Sequence, residues 1–166
     1  TLTRLRRYVL RAKVRLEDAS DRWTRIDVAG SNADALLTKL LGAVPRAADE
    51  VVQAPADSWD ITVIRLPGST PRFELHGPLM AVQALWTQLE ADVTFTGPEP
   101  WRLLEILAGT PAVYPETVEA FVPQMLNLQL QDGISFQKGC CTGQEIMART
   151  RDLGKLKRRM VLGRVD

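Results

Sequence analysis

Apolar and polar positions alternate along residues 7–16 (RYVLRAKVRL): Tyr8, Leu10, Ala12, Val14 and Leu16 fall on one side, Arg7, Arg11, Lys13 and Arg15 on the other. Period two predicts a half-buried strand. A second alternating run, 22–28 (RWTRIDV), follows the turn at 18–21. Ser31 and Asp34 supply a capping-type start for a helix through Leu41, and Gly42 suits its end. Residues 43–57 read as loop, 59–66 (WDITVIRL) as a strand, 67–71 (PGSTP) as a hairpin turn and 72–77 (RFELHG) as the returning strand. Pro78 fits the first turn of a helix over 78–91, with Leu79, Val82, Leu85, Trp86 and Leu89 along one stripe. The order ββαββα, with hairpins between helices, predicts an α+β fold: a largely antiparallel sheet with helices on one face. Trp23, Trp59 and Trp86 fall on apolar faces and are assigned to the core.

From residue 97 the pattern changes, and Gly97, Pro98, Pro100, Gly109, Pro111, Pro115 and Pro123 punctuate short apolar pieces. Residues 99–108 (EPWRLLEILA) predict a short helix ended by Gly109, and 121–137 a brief helix or turn before DGISFQ. The last residues, 161–166 (VLGRVD), read as the beginning of a strand whose partners lie elsewhere. The chain therefore divides into a ββαββα portion (1–96), a loop-rich segment (97–160) and a strand start (161–166). Long ordered loops often carry function, which directs attention to the second part.

Composition narrows the class: of 166 residues, 45% are hydrophobic and 25% charged, as in globular domains and unlike disordered or fibrous chains. No run approaches 18 apolar residues, and the first residues lack the apolar block of a signal peptide, so the sequence predicts a cytoplasmic protein without a membrane span. The net charge of +1 conceals a division. Residues 1–25 hold eight Lys/Arg against three Asp/Glu, 26–137 five against fourteen, and 138–166 eight against three. The only cysteines, Cys140 and Cys141, are adjacent, which rules out a disulfide framework. With His76 the one histidine, the chain offers too few ligands for a structural zinc site.

The densest chemical signal is 134–149, ISFQKGCCTGQEIMAR. Thr142 and Glu145 have the T-x-x-E spacing of a capping box, so a helix is expected to start there. Cys140 and Cys141 would then immediately precede a helix N-terminus, where free N–H groups favour an anion, and Lys138 and Arg149 add positive field. A thiolate with a depressed pKa is one reading. A buried, inert thiol before an ordinary helix start is the other, and on residue chemistry alone the commoner.

The run Lys138, Gly139, Cys140, Thr142, Gly143, Gln144, Glu145 resembles the K-G-C-Y-T-G-Q-E signature of the YgfZ family, folate-binding proteins related in fold to the aminomethyltransferase (T-protein) of the glycine cleavage system. Trp101, Arg102, the stretch Ala108, Gly109, Thr110, Pro111, and Phe121, Pro123, Gln124, Asn127, Leu128 match in order and spacing. Residues 1–96 match in pattern only. The resemblance implies a folate-binding domain truncated at both ends, with tetrahydrofolate or a related folate as ligand. It makes Cys140 the signature cysteine, with Cys141 in place of the family tyrosine, and Trp101 a folate-binding tryptophan. A large indole can stack on a pterin ring, and Lys138, Arg149 and Arg151 are candidates for the anionic glutamyl tail. An ordinary solvated basic face explains these cations equally well.

The function implied is that of an accessory protein supporting iron-sulphur cluster assembly or repair and, through it, tRNA modification, with iron-sulphur proteins or their assembly machinery as partners. Two alternatives stand beside it. A tetrahydrofolate-dependent aminomethyl or one-carbon transferase keeps the ligand and changes the reaction, but Leu107 occupies the position of the glutamate that aminomethyltransferases place on the pterin, so whether the chain is an enzyme stays open. A nucleic-acid-binding module would use the basic ends, particularly Arg149, Arg151, Lys155, Lys157, Arg158 and Arg159, a tract without interleaved aromatics or a recognisable nucleic-acid motif, so direct nucleic-acid binding is not expected. His76, at a strand end far in sequence from Cys140, reads as a surface group rather than half of a Cys-His pair.

Overall fold

The computed structural model describes residues 2–11, 13–55, 59–137, 145, 147–148 and 158–164. The chain forms two compact units, the first of residues 1–66 and 70–95, the second of 67–69 and 96–166. In the first unit a short helix α1 (Leu2–Arg6) precedes β1 (Trp23–Ala29), α2 (Ala33–Leu41), β2 (Val51–Gln53), β3 (Thr62–Leu66), β4 (Arg72–Pro78) and α3 (Leu79–Leu89). The four strands make one antiparallel sheet in the order β1-β4-β3-β2.

Register explains which face is buried. Leu75 of β4 lies opposite Ile26 of β1 and Val63 of β3, and Phe73 opposite Val28. Against that face α2 buries Ala33, Leu37 and Leu41, spaced four apart, and α3 buries Val82, Leu85 and Leu89. Leu37, Ile61, Val63, Phe73, Leu75 and Leu85 are fully buried, and both helices share one core with the same strand face. The other face is charged: Arg25 Nε lies 3.2 Å from Asp27 and its Nη1 3.0 Å from Glu74, whose second oxygen is 3.0 Å from His76 Nε2. The α+β, antiparallel expectation therefore holds for this unit, with α2 and α3 on one face.

Several local expectations fail. Residues 7–11 and 13–16 join no strand. Alternation is necessary for a half-buried strand but pairing makes one, and here the Arg6 guanidinium donates to the Leu16 carbonyl (3.3 and 3.1 Å), holding the stretch as a loop. The 43–57 loop contains β2, too short to show a period. Asn32, not Ser31, is the N-cap of α2, and it makes no side-chain cap bond. Asp34 instead meets Arg65 of β3, which also donates to Pro45 O (3.2 Å) and lies 5.0 Å over the Phe73 ring. Trp23 and Trp86 are about two-fifths exposed rather than core, Trp86 stacking on Phe95 at 4.2 Å. Trp59 does pack on the core, its indole N–H donating to Leu40 O at 3.1 Å.

In the second unit α4 (Pro98–Leu107) begins with Pro at its first position, where a missing N–H costs nothing. Three 3-10 turns follow, Pro115–Thr117, Pro123–Leu126 and Leu128–Gln131. Residues 161–164, expected to open a strand, are in none; the Met160 N–H donates to Met125 O (2.9 Å) instead. Among the described residues no helix is long and apolar enough to cross a membrane.

Candidate functional site

The site grows from the end of α4. Gly109 takes a positive φ of 69°, which an L side chain resists, and its N–H donates to Ile106 O (3.0 Å) while that of Thr110 donates to Glu105 O (2.9 Å). This paired closure is a Schellman motif, with Pro111 stopping the helix one residue later. From the 3-10 turn Leu128–Gln131 the Gln131 amide donates to the carbonyls of Gly109 and, at 3.4 Å, Ala108. The helix end is thus held from both sides.

Around it lies a cavity of about 590 Å³, lined by Arg102, Glu105, Ile106 and Leu107 of α4, residues 108–112, Tyr114, Asn127 and residues 160–163. Its far wall is fixed by Asn127, in left-handed conformation (φ 57°), whose Nδ2 donates to Met160 O at 2.7 Å. The walls combine aliphatic side chains, one phenol ring, an arginine and a glutamate. One polar atom stands out: Thr110 Oγ1 is buried and has no hydrogen-bond partner among the described residues. The atom is closed off from solvent, so only a turn of the Thr110 side chain would bring it to a molecule in the cavity.

Of the residues singled out from the sequence, Trp101 lies half-buried on α4, one turn before Glu105, and is not among the lining residues. Leu107, about half exposed, does line the cavity, as do Arg102 and the Ala108 to Pro111 stretch. Cys140, Cys141, Lys138 and Arg149 lie outside the described residues, and so does Thr142 of the expected capping box. Glu145, the last signature residue, and Met147 and Ala148 behind it are helical. The Met147 carbonyl accepts from Nε2 of Gln124, a side chain only 4% exposed. His76 belongs to the first unit, beside Glu74. Sequence reasoning missed Tyr114, because neither spacing nor type distinguishes a lining phenol from a surface one.

No family model matches the chain. Curated proteins do: the chain is 36% identical over 157 residues, 95% of its length, to the tRNA-modifying protein YgfZ of Klebsiella pneumoniae (strain 342), and equally so to that of Sodalis glossinidius (strain morsitans). Identity to the protein of that name from Yersinia enterocolitica is 34% over the same extent. The chain covers 46% of each, so it spans about half the length of the curated relatives it matches. The likeness carried by residues 138–145 thus extends along nearly the whole chain.

Proposed function

Because the chain is homologous to the YgfZ proteins over almost its entire length, we propose that it is part of a folate-binding accessory protein that supports tRNA modification, with the cavity beside α4 as the folate site. The observation that carries this reading is the cavity itself, whose lining includes the motif residues Arg102, Ala108 to Pro111 and Asn127. At about 590 Å³ it falls within the range of roughly 300–1,000 Å³ typical of small-molecule sites. The residues present fit a folate. Tyr114 and the aliphatic walls suit a flat pterin or benzoyl ring, the Asn127 amide suits its ring nitrogens, and Arg102 suits a glutamyl carboxylate. When bound, the reduced pterin supplies one-carbon or redox chemistry, and the chain's own groups orient it and exclude water.

Leu107 puts an aliphatic side chain into the lining where the T-protein resemblance expects a pterin-binding glutamate, which supports an accessory role over aminomethyl transfer. Support of iron-sulphur cluster assembly through the Cys140 thiol belongs to the same proposal and rests on the K-G-C-C-T-G-Q-E segment.

Calorimetric titration of the full-length protein with tetrahydrofolate tests the site. Tyr114→Ala, which removes the one aromatic ring from the lining, should weaken binding about tenfold, the worth of about 1.4 kcal/mol of ring contact. Arg102→Ala should weaken polyglutamylated folate more than the monoglutamate. Wild-type affinity in both variants would remove folate from this cavity. Cys140→Ala should retain folate binding and fail to restore iron-sulphur enzyme activity in a deletion strain; full restoration would refute the thiol's role.

A further inference from the structure

We propose that the loop after α1 is a docking surface for the phosphate backbone of RNA. The loop is closed by the Arg6 guanidinium on the Leu16 carbonyl, and it displays Arg7, Arg11, Lys13 and Arg15 in solvent beside Arg4 of α1. Short loops closed at their base and held by their own side chains are frequent sites of function.

The local acids offset this surface only in part, Arg4, Arg6, Arg7, Arg11, Lys13, Arg15 and Arg22 standing against Glu17, Asp18 and Asp21. Glu17 is engaged by Arg15 and Arg22, each at 2.9 Å, and this pairing holds the Arg22 guanidinium more firmly charged than usual. Asp18 accepts from the Ser20 hydroxyl (2.6 Å) and N–H (3.0 Å), which keep its carboxyl below the ordinary range. Arg4, Arg7, Arg11 and Lys13 are exposed and form no ion pair with any described residue. Four uncompensated cations on one short segment attract a polyanion.

Among them Tyr8 is 64% exposed and Leu10 86% exposed. An exposed aromatic ring set between arginines is the combination used to bind single-stranded or looped RNA, where cations track the phosphates and the ring stacks on an unpaired base. The basic tract near the C-terminus has no aromatic residue, so the N-terminal loop carries the stronger signal. An anionic membrane offers the same charge but no unpaired base for Tyr8 to stack on, and α1, with five residues, presents no amphipathic helix to lie in its surface.

The inference deepens the proposed function, resting on its link to tRNA for the choice of polymer, and the two fail separately. Binding of an unmodified tRNA transcript to the full chain is followed by fluorescence anisotropy from 50 to 200 mM salt, with parallel titrations of phosphatidylserine vesicles and of tetrahydrofolate. Neutralising about four phosphates gives a log–log salt slope of about −2.8 to −3.6, an affinity loss of about 50- to 150-fold across that range. The variant combining Arg4→Ala, Arg7→Ala, Arg11→Ala and Lys13→Ala should lose most of that slope and bind at least tenfold more weakly, with folate binding and circular dichroism unchanged. Tyr8→Ala should weaken binding about fivefold or more at unchanged slope. Arg158→Ala with Arg159→Ala should leave affinity as it was. Wild-type tRNA binding by the quadruple variant, or binding of vesicles in place of tRNA, overturns the proposal. A chain that binds folate and not tRNA fails this inference alone.

Discussion

Replacing Gly109 by alanine tests the conformation that shapes the cavity, and Gly77 provides the contrast. At Gly109 the backbone has φ 69°, but an added Cβ would meet only the Gln131 amide nitrogen, at 3.5 Å, an ordinary contact. The cost is therefore conformational, about 1 kcal/mol for an L side chain in the left-handed region, with no steric share. At Gly77 in β4 the φ is unremarkable, but a Cβ would lie 3.0 Å from the Asp60 carbonyl and 3.1 Å from Ile61 Cγ1. Backbone must move there, at about 1–3 kcal/mol. The two causes separate when asparagine is added to the series. Asparagine tolerates the left-handed region, so Gly109→Asn should be less harmful than Gly109→Ala. At Gly77 the larger side chain only worsens the clash, so the order inverts. Urea unfolding, with midpoint and slope both fitted, reads the difference. If asparagine is worse than alanine at both positions, the argument from φ at Gly109 is wrong.

Other perturbations follow from single contacts. Glu50 accepts backbone N–H groups of Ala47 (2.9 Å) and Arg46 (2.6 Å), which hold its carboxyl below the usual glutamate range. A carboxyl depressed on folding contributes stability that is present above its unfolded pKa of about 4.3 and lost as pH falls through the lower folded value; Glu50→Gln should therefore flatten stability against pH in that acid window, and parallel profiles would refute this. Asp34→Ala removes one carboxylate from Arg65 and should cost about 1 kcal/mol in thermal unfolding, the side chains being partly exposed. Arg65→Ala should cost more, since the bond to Pro45 O and the contact over Phe73 go with it. Leu37→Ala, at a fully buried position, should cost about 2–5 kcal/mol, and Met80→Ala, 76% exposed, less than about 0.5 kcal/mol.

Legibility in the sequence tracked how local each cause was. The strands β1 and β4 and the helices α2, α3 and α4 were readable because period, proline and glycine act within a few residues. The strand expected at 7–16 alternates at every position but Val9 and fails, because a strand also needs a neighbour and the Arg6 bond to Leu16 gives this segment another geometry. Trp23 and Trp86 were misassigned for a related reason: an indole fits an apolar stripe and equally a half-exposed stack, as Trp86 makes with Phe95. At the site, the glycine and proline that end α4 were visible, and the resemblance drew attention to Ala108 to Pro111. The contents of the cavity were not. That Thr110 is buried without a partner, or that Asn127 reaches Met160, depends on chain segments tens of residues apart.

Those long-range bonds also show how the second unit is held without a described strand. Short 3-10 turns pair few backbone groups beyond themselves, so side chains must supply the ties. Gln124, Asn127 and Gln131, all within residues 123–131, donate to carbonyls at 147, at 160, and at 108 and 109 respectively. Each is an amide, uncharged and able to donate while buried, which a carboxylate in the same place cannot do. One nine-residue stretch therefore fixes the near wall of the cavity, its far wall and the helical residue Met147 behind the cysteine signature. A change there is felt in three places at once: Gln124→Leu should loosen the segment after the signature while leaving the α4 cap intact, whereas Gln131→Leu should do the reverse, and hydrogen exchange resolved by segment distinguishes the two.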